Sequence, residues 1–409
     1  MSIVNIFAGS YCYDEKISKS LVNELGYKYI TDDDILATAE EHFKISAKKL
    51  VHAMHHAPSI FNKFTHEKER SIAFIKMSLA ENLKEDNIIY AGFAGYLLPS
   101  EITHVLKVCI IADVRYRISI AAKKETITKK DARRRIQKDD ERLNAWSQYL
   151  FGCYPWNSSL YDMVIPIDKT TVEDATELII SNLQKDVVKT TDKSKQAMDD
   201  FILTAKVQIA LVEKGHNIEV ACQGQETTLT INKKVLMLEH LENELKKIVS
   251  DVEGVKEVRT RIGPGYYKAD TYRKYDFKMP SKVLLVDDER DFVQTLSRRL
   301  QMRDLGSAAV YDGEEALSLL QEEEPDVMVL DLKMPGIDGM EVLRRVKKER
   351  PETEVIILTG HGSKNDEKKA RALGAFAYLN KPVDINVLVE TMKEAQKKVN
   401  AARAKKNNT

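Results

Sequence analysis

Hydrophobic and polar positions change period along the chain, and the changes mark out three stretches. In the first, short apolar runs at 3–7, 88–91, 105–111 and 163–167 read as strands, and helical-period patterns such as 15–25 and 172–183 lie between them. Strand–helix alternation predicts a parallel sheet with helices on both faces. From about residue 195 the order is different: a helix over 198–212, two alternating runs at 217–221 and 227–231, a helix over 236–249 and a short strand at 255–261. That is a small α+β module. The last stretch holds continuous apolar runs at 283–286, 327–330, 355–358 and 376–379. Runs without polar alternation are the pattern of parallel strands buried on both faces.

Two polar stretches read as joints: 185–195 (KDVVKTTDKSK) and 263–281 (GPGYYKADTYRKYDFKMPS). They divide the chain into 1–185, 195–265 and 281–400, a multidomain α/β organisation. The closing AARAKKNNT reads as a frayed basic tail.

Composition fits this picture. The 409 residues are 43% hydrophobic, enough for several packed cores. Lys plus Arg number 63, as do Asp plus Glu, so no net charge draws the chain to nucleic acid or acidic lipid. No apolar run approaches the roughly 18 residues of a membrane span. The opening MSIVNIFAGS lacks a basic region and reads as a strand, not a signal peptide. Cys12, Cys109, Cys153 and Cys222 show no metal-ligand spacing and suit a reducing compartment, so the cytoplasm is expected.

The strongest chemistry lies in the last stretch. Each apolar run delivers polar residues just past its end: Asp287-Asp288, Asp331, Thr359, and Asn380-Lys381-Pro382. Open parallel sheets place their sites at that edge. Three converging carboxylates repel one another and call for a hard divalent cation such as Mg2+. A carboxylate so placed can attack phosphorus. The alternative, ordinary strand-end turn residues, suits one Asp but not a set of matched positions at successive strand ends.

The motifs VLLVDDE, VLDLKMPGIDGMEVL, VIILTGHGS and GAFAYLNKPVD resemble the response-regulator receiver family, with no departure at the key positions. The resemblance implies a flavodoxin-like (βα)5 domain with Asp331 as phosphoacceptor. It implies Asp287, Asp288, Asp331 and the Lys333 backbone carbonyl as Mg2+ ligands, Lys381 as the phosphate contact, and Thr359 and Tyr378 as switch residues. It also implies a cis Lys381–Pro382 bond, and a sensor histidine kinase or phosphotransfer protein as phosphodonor. His361 reads as a loop residue.

Residues 1–185 are similar to the cytidylate-kinase-like family of P-loop proteins. The resemblance rests on Leu25 to Tyr29 with Asp32 to Leu36, on AGFAGYL from Ala91, on Arg135, Asp139 and Arg142 as an R-x3-D-x2-R lid pattern, and on Tyr161-Asp162. The phosphate loop departs from the family: in GSYCYDEK from Gly9, Asp14 stands for the second Gly, Glu15 for Lys and Lys16 for the hydroxyl. Phe93 and Asp33 stand where the family carries arginines. A retained fold without kinase chemistry is expected. Lys16, Arg117, Arg135, Asp139 and Arg142 are candidate anion or nucleotide contacts, against the plainer reading of a solvated basic face that also takes in Lys129, Lys130, Arg133 and Arg134. His52, His55 and His56 have helical spacing but no completing ligand, and read as a surface cluster.

Residues 195–265 resemble the BON module, chiefly in VEGVKEV before the last strand, with Gln223 to Glu226 replacing the usual glycine-bearing turn. That implies a binding module without catalytic residues; a spacer or homodimerisation unit is the alternative. No DNA-recognition helix is evident, so the output is expected to be a protein target. The function expected is a phosphorelay response regulator whose only phosphoryl chemistry is at Asp331. A receiver-regulated cytidylate-type kinase is the rival, and a phosphate sink the plainest option.

Overall fold

The computed structural model describes residues 2–235, 237–266, 282–303, 305–360 and 362–406. By contacts the chain forms two compact units: Met1–Ala57 with Glu67–Tyr272, and Pro58–His66 with Arg273–Thr409. Among the described residues no helix is long and apolar enough to cross a membrane. His361 and most of the expected joint at 263–281 lie outside the described residues.

The first unit opens with β1 (Ile3–Ala8), α1 (Asp14–Leu25), β2 (Lys28–Thr31), α2 (Asp32–Phe43) and α3 (Ala47–His55). After α4 (Asn62–Thr65), which belongs to the second unit, come α5 (Glu67–Asn82), β3 (Ile88–Ala91), β4 (Val105–Ile111), α6 (Val114–Glu125), α7 (Lys129–Phe151), β5 (Met163–Pro166) and α8 (Val172–Leu183). The strands form a parallel sheet in the order β2-β3-β1-β4-β5. Central β1 has both faces buried, which is why its sequence is continuously apolar except for Asn5. Asn5 is itself buried, and its amide donates to the Tyr90 and Gly92 carbonyls at 3.2 Å, tying β1 to the turn after β3.

The unit continues through α9 (Asp192–Glu213), β6 (Glu219–Gln223), β7 (Glu226–Ile231), α10 (Leu238–Ser250) and β8 (Glu257–Ile262). β6 and β7 pair antiparallel, β7 and β8 parallel. The Lys-rich stretch 185–195 is not a free linker. A short 3-10 turn spans Asp186–Val188, and α9 starts at Asp192 behind a capping box between Thr191 and Ser194. α9 carries two apolar stripes. Met198, Phe201 and Ala205 enter the core that holds Ile3 and Phe7, while Leu203, Val207 and Leu211 enter the core under the three-stranded sheet. One helix buried on two sides joins two sheets into one unit, so the expected boundary near 185–195 falls inside it.

The second unit holds β9 (Val283–Val286), α11 (Arg290–Gln301), β10 (Ser307–Val310), α12 (Gly313–Glu322), β11 (Val327–Leu330), α13 (Gly339–Glu349), β12 (Glu354–Thr359), α14 (Lys364–Ala372), β13 (Ala377–Asn380) and α15 (Ile385–Lys406). The sheet is parallel in the order β10-β9-β11-β12-β13, the flavodoxin-like winding. β9, β11 and β12 are buried throughout, and amphipathic helices cover both faces. α15 continues to Lys406, so most of the expected frayed tail is helical. Residues 58–66 pack in this unit: Phe61 is fully buried among Leu320 and Met328 and their neighbours, and the Glu323 carboxylate accepts from Ser59 Oγ and the Ile60 N–H at 2.6 and 3.0 Å.

Gly339 opens α13 with its N–H on the Leu332 carbonyl at 3.0 Å. A Cβ there would lie 2.1 Å from the Asp331 carbonyl oxygen and 2.7 Å from Leu332 Cα. Gly339→Ala is therefore expected to push α13 off the end of β11 and to lower unfolding free energy by about 1–3 kcal/mol, read by denaturant unfolding.

Candidate functional site

Because the strands of the second unit are parallel, their C-terminal ends share one edge, and four of them converge there. β9 leads into Asp287 and Asp288, β11 into Asp331, β12 ends on Thr359, and Lys381 follows β13. Carboxylate oxygens of Asp287, Asp288 and Asp331 lie within 4.8 Å of one another, with Asp287 and Asp331 buried and Asp288 exposed. Lys381 Nζ stands 2.6 Å from Asp287 Oδ2, 2.9 Å from Glu289 Oε1 and 3.3 Å from Asp331 Oδ2. Asp331 Oδ1 accepts the Leu332 N–H at 2.6 Å, and the Lys333 N–H reaches the same oxygen at 3.5 Å.

The electrostatics follow from crowding. Burial raises the Asp287 pKa and the Asp331 charge adds to it, while Lys381 and the Glu289 N–H oppose. Burial works against the Lys381 charge, but hydrogen bonds to Asp287 and Glu289 and the charges of Asp287 and Asp331 outweigh it and hold its pKa above the usual lysine value. Lys381 also sits 4.3 Å from the centre of the Phe292 ring. Asp288, Lys333, Asp338 and Asp366 line an open hollow beside the acids.

Thr359 is buried, and its carbonyl accepts the Lys381 N–H at 2.9 Å. The Tyr378 hydroxyl is buried without a hydrogen-bond partner among the described residues. It lies over Gly362, where a Cβ would meet it at 1.6 Å and the Thr359 methyl at 3.0 Å. Burial, then the charges of Asp366, Glu367 and Asp331, raise its pKa. The Lys381–Pro382 bond is cis. Every receiver-type residue read from the sequence thus gathers at one edge, with Lys333 represented by its N–H. Glu289 joins them as a third acid on Lys381; its signal was the E of VLLVDDE.

The corresponding edge of the first unit is closed by its own side chains. Between β1 and α1 the loop holds Tyr11 at φ 65° and Tyr13 at φ 60°, left-handed positions suited to glycine. Arg117 is buried against this loop: Nε donates to the Ser10 carbonyl at 2.9 Å, and both terminal nitrogens reach the Asp140 carboxylate at 2.9 and 2.7 Å. The solvated-face reading therefore fails for Arg117, although Arg133 and Arg134 are exposed. Arg135 pairs with Glu125, which also accepts from the Tyr11 hydroxyl. Arg142 pairs with Asp139 at 3.8 Å, and exposed Lys16 lies over the Tyr13 ring at 4.5 Å. Burial pushes the Cys12 thiol up to about 12, and the first turn of α1 presents Asp14 and Glu15.

The turn after β3 is filled in the same way. Asp32, the first residue of α2, receives the Phe93 and Ala94 N–H groups at 2.8 and 3.1 Å and the Tyr90 hydroxyl. Burial raises its pKa against these hydrogen bonds. Sequence reasoning missed Asp32, Asp140 and Glu125 as partners, because their sequence neighbours are not their spatial ones. His52 and His56 stack 4.3 Å apart, and His55 is pushed down to about 4 by burial and Arg142. Among the described residues the three-carboxylate group in the second unit is the metal-type cluster, and the histidines form none.

Asp32→Ala strands two backbone donors and a phenol, and is expected to cost about 2–4 kcal/mol in urea unfolding. Asp32→Asn, which keeps an acceptor, should cost about 1 kcal/mol.

Comparison with known proteins matches residues 283–393 to the response regulator receiver domain and residues 3–169 to the cytidylate kinase-like family. Among solved structures, a response regulator receiver domain protein from Clostridium thermocellum is 34% identical over 30% of this chain and 98% of its own, with a TM-score of 0.29. The receiver domain of Francisella response regulator 1452 is 31% identical over 29% and 97%, with a TM-score of 0.28. A CheY-like receiver domain protein from Methanospirillum hungatei is 27% identical over 29% and 96%, with a TM-score of 0.29. Residues 283–393 are thus similar to the response regulator receiver domain, and residues 3–169, ahead of them, to the cytidylate kinase-like family.

Proposed function

We propose that the chain is a two-component response regulator that takes a phosphoryl group onto Asp331 from a sensor histidine kinase or phosphotransfer protein. Its kinase-like stretch is read as a non-catalytic module controlled by the receiver. The observation that carries the first half is the buried Asp331 carboxylate at the end of β11, 3.3 Å from Lys381 and grouped with two further acids. In the transfer, an Asp331 oxygen bonds to phosphorus as the bond from phosphorus to the donor's imidazole nitrogen breaks, and that nitrogen keeps the electron pair.

The hard, clustered oxygens fit magnesium: Asp287, Asp288, Asp331 and the Lys333 carbonyl would hold it, and when bound it neutralises phosphoryl oxygens. Lys381, held charged by its acids, exchanges its contact with Asp331 for one with a phosphoryl oxygen. The Thr359 hydroxyl donates to another. Tyr378, whose hydroxyl has no described partner over Gly362, has little to hold it there once Thr359 moves. That makes the outer face a two-state surface for a downstream protein or a second copy.

The second half rests on the closed edge of the first unit. Arg117, Arg135 and Arg142 face carboxylates, and the N–H groups of the turn after β3 already hold the Asp32 carboxylate. Two acids stand in the first turn of α1, where a phosphate would need donors. The four free cysteines suit the reducing cytoplasm in which such relays work.

Asp331→Asn is expected to abolish phosphoryl uptake from acetyl phosphate with magnesium, read by intact mass; labelling that persists sinks the assignment. Lys381→Ala is expected to slow uptake by about tenfold or more, equivalent to about 1.4 kcal/mol in the barrier. Titration of ATP and CMP with magnesium into full-length Asp331→Asn should show no binding tighter than about 1 mM and no ADP formation. ADP release would instead support a receiver-regulated kinase.

A further inference from the structure

In the first unit, the surface of α5 and the α9–β6 corner border an open cavity of about 420 Å³, within the usual size of small-molecule sites. One face of α5 lines it with Ile72, Ala73 and Lys76, and Leu97, Val212 and Ile218 supply more apolar wall. The acids on the wall are already engaged. Glu69 accepts from the Tyr149 hydroxyl at 3.3 Å, and Glu219 from the Asn232 amide at 2.7 Å. His216, also on the wall, is 3.4 Å from Glu244.

Lys76 differs from these. It makes no hydrogen bond or ion pair among the described residues; its ammonium lies 5.3 Å from the centre of the Phe201 ring, and burial pushes it down to about 8. Lys68, two turns earlier on α5, is pushed down equally by burial, but its ammonium donates to the His56 carbonyl at 2.7 Å. A partly desolvated cation with no counter-ion among the described residues, on the wall of an open cavity, gains most from an anion that brings its own apolar surface.

We infer that this cavity binds a small organic carboxylate, its anionic end on Lys76 and its apolar body against Ile72, Leu97, Val212 and Ile218. Gln208 and Thr230, also on the wall, offer side-chain hydrogen bonds to a polar substituent. The site lies wholly within the first unit and shares no lining residue with its closed edge, so it does not depend on the phosphorelay reading. It would give the kinase-like module an input that is not a nucleotide.

Calorimetric titration of sodium hexanoate and of uncharged hexanamide into the full chain tests this. Saturable hexanoate binding is expected, with hexanamide about tenfold weaker or worse, Lys76→Met losing about tenfold or more, and Lys76→Arg retaining affinity. Hexanoate that gives no saturable heat at millimolar concentration, or binds no better than hexanamide, overturns the inference, as does unchanged binding in Lys76→Met. Should Lys76→Met fail to fold, the wild-type comparison of the two probes decides it.

Discussion

One ammonium among crowded carboxylates governs the second unit. Without Lys381, Asp287 and Asp331 would be two buried acids side by side with little water to screen them. At an effective dielectric constant near 20, two unit charges about 4 Å apart repel by about 4 kcal/mol. Lys381 lies on both acids and on Glu289, so the loop after β13 is fixed to the ends of β9 and β11 by charge as well as by the sheet. The same arrangement makes the site responsive. Further negative charge placed there would compete for positive charge already shared out, and Lys381 would redistribute its contacts. Lys381 and Thr359 are linked through the N–H of one and the carbonyl of the other, so a change in the contacts of Lys381 is felt at the end of β12.

The first unit answers the same problem with the signs reversed. A P-loop-type edge collects backbone donors and arginines, and without a phosphate these need anions. Here the anions are internal: Asp32 for the turn after β3, Asp140 for Arg117, Glu125 for Arg135. Each satisfies its partner without a ligand. Displacing Asp140 would leave a buried guanidinium and a carboxylate to be solvated anew, a cost of several kcal/mol that nucleotide binding would have to offset. The left-handed Tyr11 and Tyr13 add backbone strain, tolerated because the Tyr11 hydroxyl is anchored to Glu125.

How legible all this was depended on whether the signal was local. Buried strands β9 and β11, and residues 355–358 of β12, announce themselves as continuous apolar runs, and the acids and Thr359 stand directly after those runs. β10 and β2 were missed for a physical reason. Ser307–Val310 is built of small residues, and Lys28–Thr31 is half polar, as edge strands are. The Lys-rich stretch 185–195 read as a linker because its charges are exposed. The Thr191–Ser194 capping box inside it was the sign of a helix start. Asp32 looked like an ordinary acid in a helix's first turn, since nothing local reveals that its donors come from residues 90–94.

The two stripes of α9 bear on what the kinase-like stretch is for. A helix whose Met198 and Phe201 sit in one core and whose Val207 and Leu211 sit in another cannot tilt without disturbing both. Interiors packed at native density transmit such displacements rather than absorb them. The parallel sheet and the three-stranded sheet are therefore mechanically one body, even though their sequences read as separate modules. In such a body the edge at the ends of β1 and β3 is neutralised internally, by Asp32, Asp140 and Glu125. α5 packs against α9, so a displacement of its surface would reach both sheets at once.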